Sequence, residues 1–178
     1  MRNGIVNAFI KIHSLHKKLA SIQLLLLRGI RQLLDCNYTR STIIQDVSIM
    51  EICFSIAYNY MTSMKHVEIA GHCITQCLRN EGCIQYVLSH AIVGYMITFC
   101  QKYSKNVLLI RSTLKMFSWV STNQSRLDYV CGLKAVQTTI FCLRRHKRCS
   151  EILGPGIGKL ELVITEYRVY PLYKSVST

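Results

Sequence analysis

Acidic residues are scarce in this chain of 178 residues, which holds nine Asp and Glu against 22 Lys and Arg. These carboxylates are too few and too dispersed to identify a general acid and base pair. The sequence also has neither a G-x-S-x-G nor an H-E-x-x-H motif. We therefore predict that the chain is not an enzyme, with no catalytic residue and no cofactor. The formal net charge of +13 points instead to acidic partners, nucleic acid or anionic membrane.

Proline and glycine are also sparse, at two and nine residues. Folds with many strands need turn residues at close intervals, whereas this chain leaves long stretches free for helix. Hydrophobic residues make up 50% of the chain and charged residues 17%, a balance that excludes a disordered polypeptide. The predicted fold class is all-α.

No C-x-x-C pair occurs among the nine cysteines, so the sequence supports no zinc framework and no metal site is predicted. Most cysteines stand where the helical pattern requires a small apolar residue, which predicts reduced, buried thiols, with disulfides as the alternative.

The first residues mix Lys11, His13 and Lys17 into an apolar segment, unlike a signal peptide. The expected location is cytoplasmic or nuclear.

One run lacks charge altogether, because the 19 residues from Gly82 to Cys100 contain no Asp, Glu, Lys or Arg. Its length fits a membrane span. Polar residues such as Gln85, Ser89 and His90 interrupt it, as though one helix ended and another began inside the run. We expect no integral membrane span.

Three segments of the chain align on asparagines 43 residues apart, at Asn37, Asn80 and Asn123. The stretch before each asparagine has the pattern of a long amphipathic helix, and apolar residues recur after it with the spacing of one buried helical stripe. These recurring positions are Ile44, Val87 and Val130; Ile49, Ile92 and Ala135; Met50, Val93 and Val136; and Phe54, Ile97 and Ile140. A looser copy precedes them, with Ile5, Val6, Phe9 and Ile10 lying 44 residues before Ile49, Met50, Cys53 and Phe54. A period of about 43 residues is typical of helical repeats with two or three helices each.

The order of helix, turn ending in Asn, short helix and small residue, as in NQSRLDYVCGLKAV, resembles the armadillo family over residues 4 to 150. The resemblance implies a right-handed α-solenoid with units at 4–47, 48–90 and 91–131 and a partial unit at 132–153. Residues 154–178, with the strand-like segment LELVITEYRVYPLY, would form an irregular tail or a divergent cap.

The three asparagines are predicted to cap helices or to occupy turns. The glycine that the family has at the unit boundary is present as Gly132 and replaced by Ser48 and Ala91. Trp119, which shares its helix with Leu114 and Phe117, is predicted to pack in the core.

The family also implies a place for a binding site, a concave groove lined by the third helix of each unit. There an asparagine commonly grips the backbone of an extended peptide, and a tryptophan lies one turn before it. The asparagine position falls on Gln32, Gln76 and Met116, and the tryptophan position on Arg28, His72 and Ser112. Glutamine amides still bind a peptide backbone, and Arg28 favours an acidic or phosphorylated segment. Ordinary solvated helix residues are the alternative interpretation.

The predicted function is that of a scaffold or adaptor that binds a protein partner along this groove. Binding of nucleic acid is the alternative, supported by the charge and by a basic patch of Arg144, Arg145, Lys147 and Arg148. A solvated basic turn is the simpler interpretation of that patch. A membrane-associated protein is the third possibility.

Overall fold

A computed structural model describes residues 2–154 and the side chains from residue 4 onward. Every regular element in these residues is a helix, and no strand occurs among them, which confirms the all-α prediction. The strand-like segment predicted beyond residue 154 lies outside the described residues. The helices are α1 (Arg2–Leu15), α2 (Ala20–Asp35), α3 (Asn37–Ile43), α4 (Ser48–Asn59), α5 (Met64–Cys77), α6 (Glu81–Ser89), α7 (Ile92–Lys102), α8 (Val107–Val120), α9 (Gln124–Gly132) and α10 (Ala135–Arg145). Residues 150–154 are helical as well.

These helices recur in the order long, short, intermediate. The long helices α2, α5 and α8 begin at residues 20, 64 and 107, and the short helices α3, α6 and α9 begin at 37, 81 and 124. The helices that follow, α4, α7 and α10, begin at 48, 92 and 135. Each step is 44 or 43 residues, so the period read from the apolar residues is also a period of the backbone.

The chain divides into two compact units, the first ending at Ile92 and the second beginning at Val93. Within the first unit, α1 packs on α2, α3 and α4, while α5 packs on α2 and α4. Within the second, α8, α9 and α10 pack on one another.

The core of the first unit follows helical spacing. On α2 the side chains of Leu26, Leu27, Ile30 and Leu34 are at most 5% exposed, and they lie along one face of the helix.

Six cysteines, distributed over both units, are buried, which confirms the prediction made for most of these thiols. They are Cys53, Cys73, Cys77, Cys83, Cys100 and Cys142.

Two of the three predicted asparagine caps are confirmed. The side-chain oxygen of Asn80 accepts a hydrogen bond from the Cys83 amide at 3.2 Å, and that of Asn123 accepts one from the Arg126 amide at 3.0 Å. The prediction for Asn37 is wrong, because Asn37 is the first residue of α3 and makes no cap.

The connection between α2 and α3 explains this difference. A single residue, Cys36, separates the two helices, which leaves no turn in which an asparagine cap can form. Here the buried Arg40 binds the carbonyl groups that end α2, donating from Nε to Leu34 and from Nη2 to Asp35. A cation at this position also interacts favourably with the C-terminal end of the helix dipole.

A left-handed residue precedes two of the repeating helices. Ala91, before α7, has φ of 54°, and Lys134, before α10, has φ of 65°. They are 43 residues apart, so the turn geometry repeats together with the helices. Gly132 is the last residue of α9, and Lys134 occupies the left-handed position before α10.

A hydrogen bond between successive turns is found in both units. The Tyr60 hydroxyl, just after α4, donates to the Lys17 carbonyl just after α1 at 2.9 Å. In the second unit, Nε2 of His146 after α10 donates to the Ser104 carbonyl after α7 at 2.8 Å. Each bond ties one copy of the turn to the next and satisfies a carbonyl that the helix leaves open.

Within the described residues, no single helix is both long enough and apolar enough to cross a membrane. The uncharged run between Gly82 and Cys100 is divided between α6 and α7, with a break at His90 and Ala91. This confirms the prediction that one helix ends and another begins inside the run. The two helices reach the length and composition of a span only when taken together.

Candidate functional site

The solvent face of α2 carries four polar side chains. Arg28, Arg31, Gln32 and Asp35 follow the i, i+3, i+4, i+7 spacing that places residues on one side of a helix. Arg28, Gln32 and Asp35 are exposed and Arg31 is half-buried. The predicted binding residues of this helix are therefore accessible to a partner.

On α5, His72 and Gln76 are half-buried and stand one helical turn apart. Nε2 of His72 donates to Oδ1 of Asp35 at 2.7 Å, which joins the two polar stripes where α5 packs on α2. Within α2, Nε of Arg31 donates to Oδ2 of Asp35 at 3.4 Å. We call this surface the α2–α5 face, defined by Arg28, Arg31, Gln32, Asp35, His72 and Gln76.

Asp35 makes the α2–α5 face less basic than the sequence indicates. Partial burial raises the pKa of Asp35, but hydrogen bonds and charge from His72 and Arg31 outweigh it and hold the pKa below its ordinary value. Asp35 is thus ionised at neutral pH and neutralises part of the surrounding charge. Among the described residues, Arg28 has no ion-pair partner, so its guanidinium is the cation that remains available.

The structure corrects the predicted positions on α8. Ser112 is 6% exposed and Met116 is 0% exposed, so neither side chain contacts a partner bound at the surface. Because α8 and α9 each begin 43 residues after α5 and α6, the true equivalents of His72 and Gln76 lie three residues beyond Ser112 and Met116.

With the register set by the helices, Lys115 and Trp119 are equivalent to His72 and Gln76. Lys115 is half-buried and Trp119 is 40% exposed. The prediction that Trp119 packs in the core is therefore wrong. The second unit presents a cation and an indole ring where the first presents an imidazole and an amide.

The basic patch lies at the end of α10. Arg144 and Arg145 belong to its last turn, where cations are favoured by the helix dipole, and Lys147 and Arg148 follow in the next turn. All four are exposed, whereas His146 between them is half-buried and bonds the Ser104 carbonyl. The exposure of these four residues fits a solvated basic turn and also leaves them accessible to an acidic partner.

An open cleft of about 450 Å³ in the first unit was not foreseen from the sequence. Its walls include the aromatic rings of Phe54, Tyr58 and Tyr86 and the carboxylate of Glu51. Burial and the nearby Glu51 charge raise the pKa of Tyr86. Aromatic faces and a carboxylate attract cations, so the cleft differs in chemistry from the α2–α5 face.

A buried hydrogen-bond network lies beside this cleft. The amide group of the fully buried Gln23 donates to the His16 carbonyl at 2.9 Å, and its oxygen is 2.8 Å from Nδ1 of His13. Nε2 of His13 lies 3.2 Å from the Ser55 hydroxyl on α4. These bonds join α1 to α2 and α4. The one signal for them in the sequence is Gln23, a polar residue directly before the four leucines of α2.

No group of three or more His, Cys, Asp and Glu side chains within residues 4–154 is arranged to hold a metal ion. Comparison of the chain with protein-family models, with curated proteins and with solved structures found no match. The resemblance to armadillo repeats therefore depends on the period and helix order of the chain itself.

Proposed function

We propose that this chain is a scaffold or adaptor built from armadillo-type helical repeats. We propose further that it captures an acidic or phosphorylated segment of a partner protein on the α2–α5 face. The observation that carries the proposal is the equivalence of two polar pairs, the first exposed and the second half-buried. Arg28 and Gln32 on α2 occupy the same helix positions as His72 and Gln76 on α5, one repeat later.

Two glutamines one repeat apart suit an extended peptide. Each amide offers both a donor and an acceptor, which match the alternating carbonyl and amide groups of a peptide backbone. Arg28 supplies paired donors for a carboxylate or phosphate. Such a group would also compete with Asp35 for Arg31 and His72, which lie within 3.4 Å of that carboxylate.

The second unit, considered by itself, has a candidate binding pair at the equivalent helix positions. Its equivalent residues, Lys115 and Trp119, combine a cation with a large and partly exposed ring. Tryptophan is enriched among the residues that dominate binding energy at protein interfaces. The partner segment that meets these residues is expected to carry an apolar side chain beside its acidic groups.

The experiment compares Arg28→Glu/Gln32→Ala with the control Arg79→Glu, which makes the same change in charge at an exposed residue outside the face. Proteins captured by the wild-type chain are identified by mass spectrometry. Acidic and phosphorylated peptides from them are then measured by fluorescence anisotropy at several salt concentrations. We expect the double variant to bind at least about tenfold more weakly and the control to bind within about twofold of wild type.

Equal weakening by both variants would contradict the proposal, because only total charge would then matter. A labelled 20-base-pair DNA duplex is the second probe. Tight duplex binding that falls steeply with salt, and that both variants weaken alike, would favour the nucleic-acid alternative.

A further inference from the structure

Helix α1 has apolar residues on its buried side and also on an adjacent, exposed side. Val6 faces inward and is 4% exposed, yet Ile5, Ile12 and Leu15 are 42%, 37% and 66% exposed. The three exposed residues share one side of the helix by their spacing of seven and three. Leu19, the residue before α2, and Leu25 on α2 are also exposed apolar residues, with exposed fractions of 51% and 62%. We call these five residues the N-terminal face.

The next copy of the repeat contains residues equivalent to these exposed ones, and their burial can be compared. A step of 44 residues, the one that separates α2 from α5, relates Ile5 and Ile12 to Ile49 and Ile56 of α4. Both of these are 0% exposed, because α4 packs on α1, α2 and α5. The same step relates Leu25 to Ile69 of α5, which is only 9% exposed. Helix α5 packs on α2 and α4. Helices therefore cover the equivalents of Ile5, Ile12 and Leu25 in the next copy, whereas Asn59, the equivalent of Leu15, is exposed.

Charge indicates which partner would cover the exposed copy. Residues 1–34 contain six Lys and Arg and no Asp or Glu. Lys11, Lys17 and Lys18 are exposed beside the apolar stripe. A second copy of this chain, joined through the same face, would bring these like charges together at an energetic cost. A helix with acidic borders would pair with them instead.

We propose that the N-terminal face docks an amphipathic helix of another protein, whose apolar stripe is bordered by acidic residues. Its apolar residues would cover Ile5, Ile12 and Leu15, and its carboxylates would pair with the surrounding lysines. A helix is favoured over a lipid surface because helices cover the equivalents of Ile5, Ile12 and Leu25 in the next copy. The proposal does not depend on the α2–α5 face.

The probe is a fluorescein-labelled 18-residue helical peptide with leucines at i, i+3, i+4 and i+7 and glutamates beside them. Two further peptides serve as controls, one with lysine in place of glutamate and one with the same composition in scrambled order. We expect the wild-type chain to bind the striped acidic peptide at least about tenfold more tightly than either control peptide. Equal binding of the scrambled peptide would overturn the proposal, since charge alone would then explain it.

Variants of the chain separate the apolar and charged contributions. Ile12→Ser/Leu15→Ser removes apolar area without changing charge, and its matched control is Tyr38→Ser/Leu108→Ser, two exposed residues outside the face. We expect the first pair to weaken peptide binding about tenfold or more and the control pair to leave it unchanged. Both pairs replace exposed side chains, so thermal melts should show that each variant still folds.

Two outcomes would contradict the proposal. One is unchanged peptide binding by Ile12→Ser/Leu15→Ser. The other is binding to phosphatidylserine vesicles without binding to the striped peptide, which would assign the face to a lipid surface. Because Ile12 and Leu15 lie on α1, this variant should retain capture on the α2–α5 face. Failure of this inference is therefore distinguishable from failure of the proposed function.

Discussion

The carboxylate of Asp35 on α2 accepts a hydrogen bond from Nε2 of His72 on α5, with 2.7 Å between the two atoms. This bond connects two helices of successive repeats at the surface proposed to bind a partner. It also gives the folded protein a dependence on acid that can be measured.

The first prediction concerns stability at low pH. The pKa of Asp35 is lowered in the folded state from an ordinary value near 3.8. The ionised carboxylate therefore stabilises the fold above about pH 4, and this contribution is lost as pH falls through the lowered pKa. We expect wild type to lose stability more steeply below pH 4 than Asp35→Asn.

The size of this effect should be below about 1 kcal/mol, as is usual for exposed ionic contacts. Urea unfolding at pH 7, 4 and 2.5 measures the difference between wild type and Asp35→Asn. The variant His72→Gln removes the hydrogen-bond partner of Asp35 and keeps Asp35 itself. Its stability should also fall less steeply below pH 4 than that of wild type. Identical pH profiles of all three proteins would show that the bond contributes nothing.

The second prediction uses Trp119, the single tryptophan of the chain, which is 40% exposed. Its fluorescence should be quenched readily by small solutes in the folded protein. Lys115 lies one turn before it and α8 contains no acid, so iodide should quench more strongly than caesium at equal concentration. Emission that neither ion quenches would mean that the indole is buried.

The third prediction concerns the two left-handed residues. A residue with a Cβ atom pays a steric penalty at positive φ that glycine avoids, although glycine loses more entropy on folding. We expect Ala91→Gly and Lys134→Gly to raise the free energy of unfolding by about 0.5–1 kcal/mol each. Ala8→Gly, in the middle of α1, is the control and should lower it by about 1 kcal/mol. Denaturant unfolding measures whether the free energy of unfolding of each variant is higher or lower than that of wild type.

The fourth prediction concerns the reactivity of the cysteines. Hydrogen bonds from the backbone and hydroxyl of Thr39 lower the pKa of the exposed Cys36 thiol. By contrast, the contact with Cys142, 3.4 Å away, and burial raise the pKa of Cys100. Because the thiolate is the reactive form, Cys36 should react first with a disulfide reagent such as DTNB.

Native protein should therefore show one fast equivalent of reaction, followed by slower phases as the half-buried and buried thiols become accessible. The fast phase should vanish in Cys36→Ser and persist in Cys53→Ser, where the replaced thiol is buried. A fast phase that survives in Cys36→Ser would place the reactive thiol elsewhere.

The sequence was sufficient for the fold class and the period, because apolar residues recurred at helical spacing on both sides of Asn37, Asn80 and Asn123. It was not sufficient for the register of α8. That helix is apolar on most sides, so its pattern matches α5 almost as well after a shift of three residues. Because of this shift, the predicted binding site contained the buried Met116 instead of the exposed Trp119.

Other features depend on geometry that no single segment contains. Asn37 resembles its two counterparts in the sequence, but only the structure shows that one residue joins α2 to α3. The bond between His13 and Ser55 crosses 42 residues of chain, and each residue by itself is ordinary for a helix. Patterns within a helix were therefore readable from the sequence, whereas contacts between helices were not.

The buried amide of Gln23 has a consequence for the energetics of recognition. Its bonds to His13 and His16 are directional, so they fix the angle and the rotation of α1 on α2 more strictly than apolar packing alone would. The partner helix proposed for α1 would consequently meet a surface whose orientation is already fixed. Little conformational entropy is then lost on association, and even a short helix can bind with useful affinity.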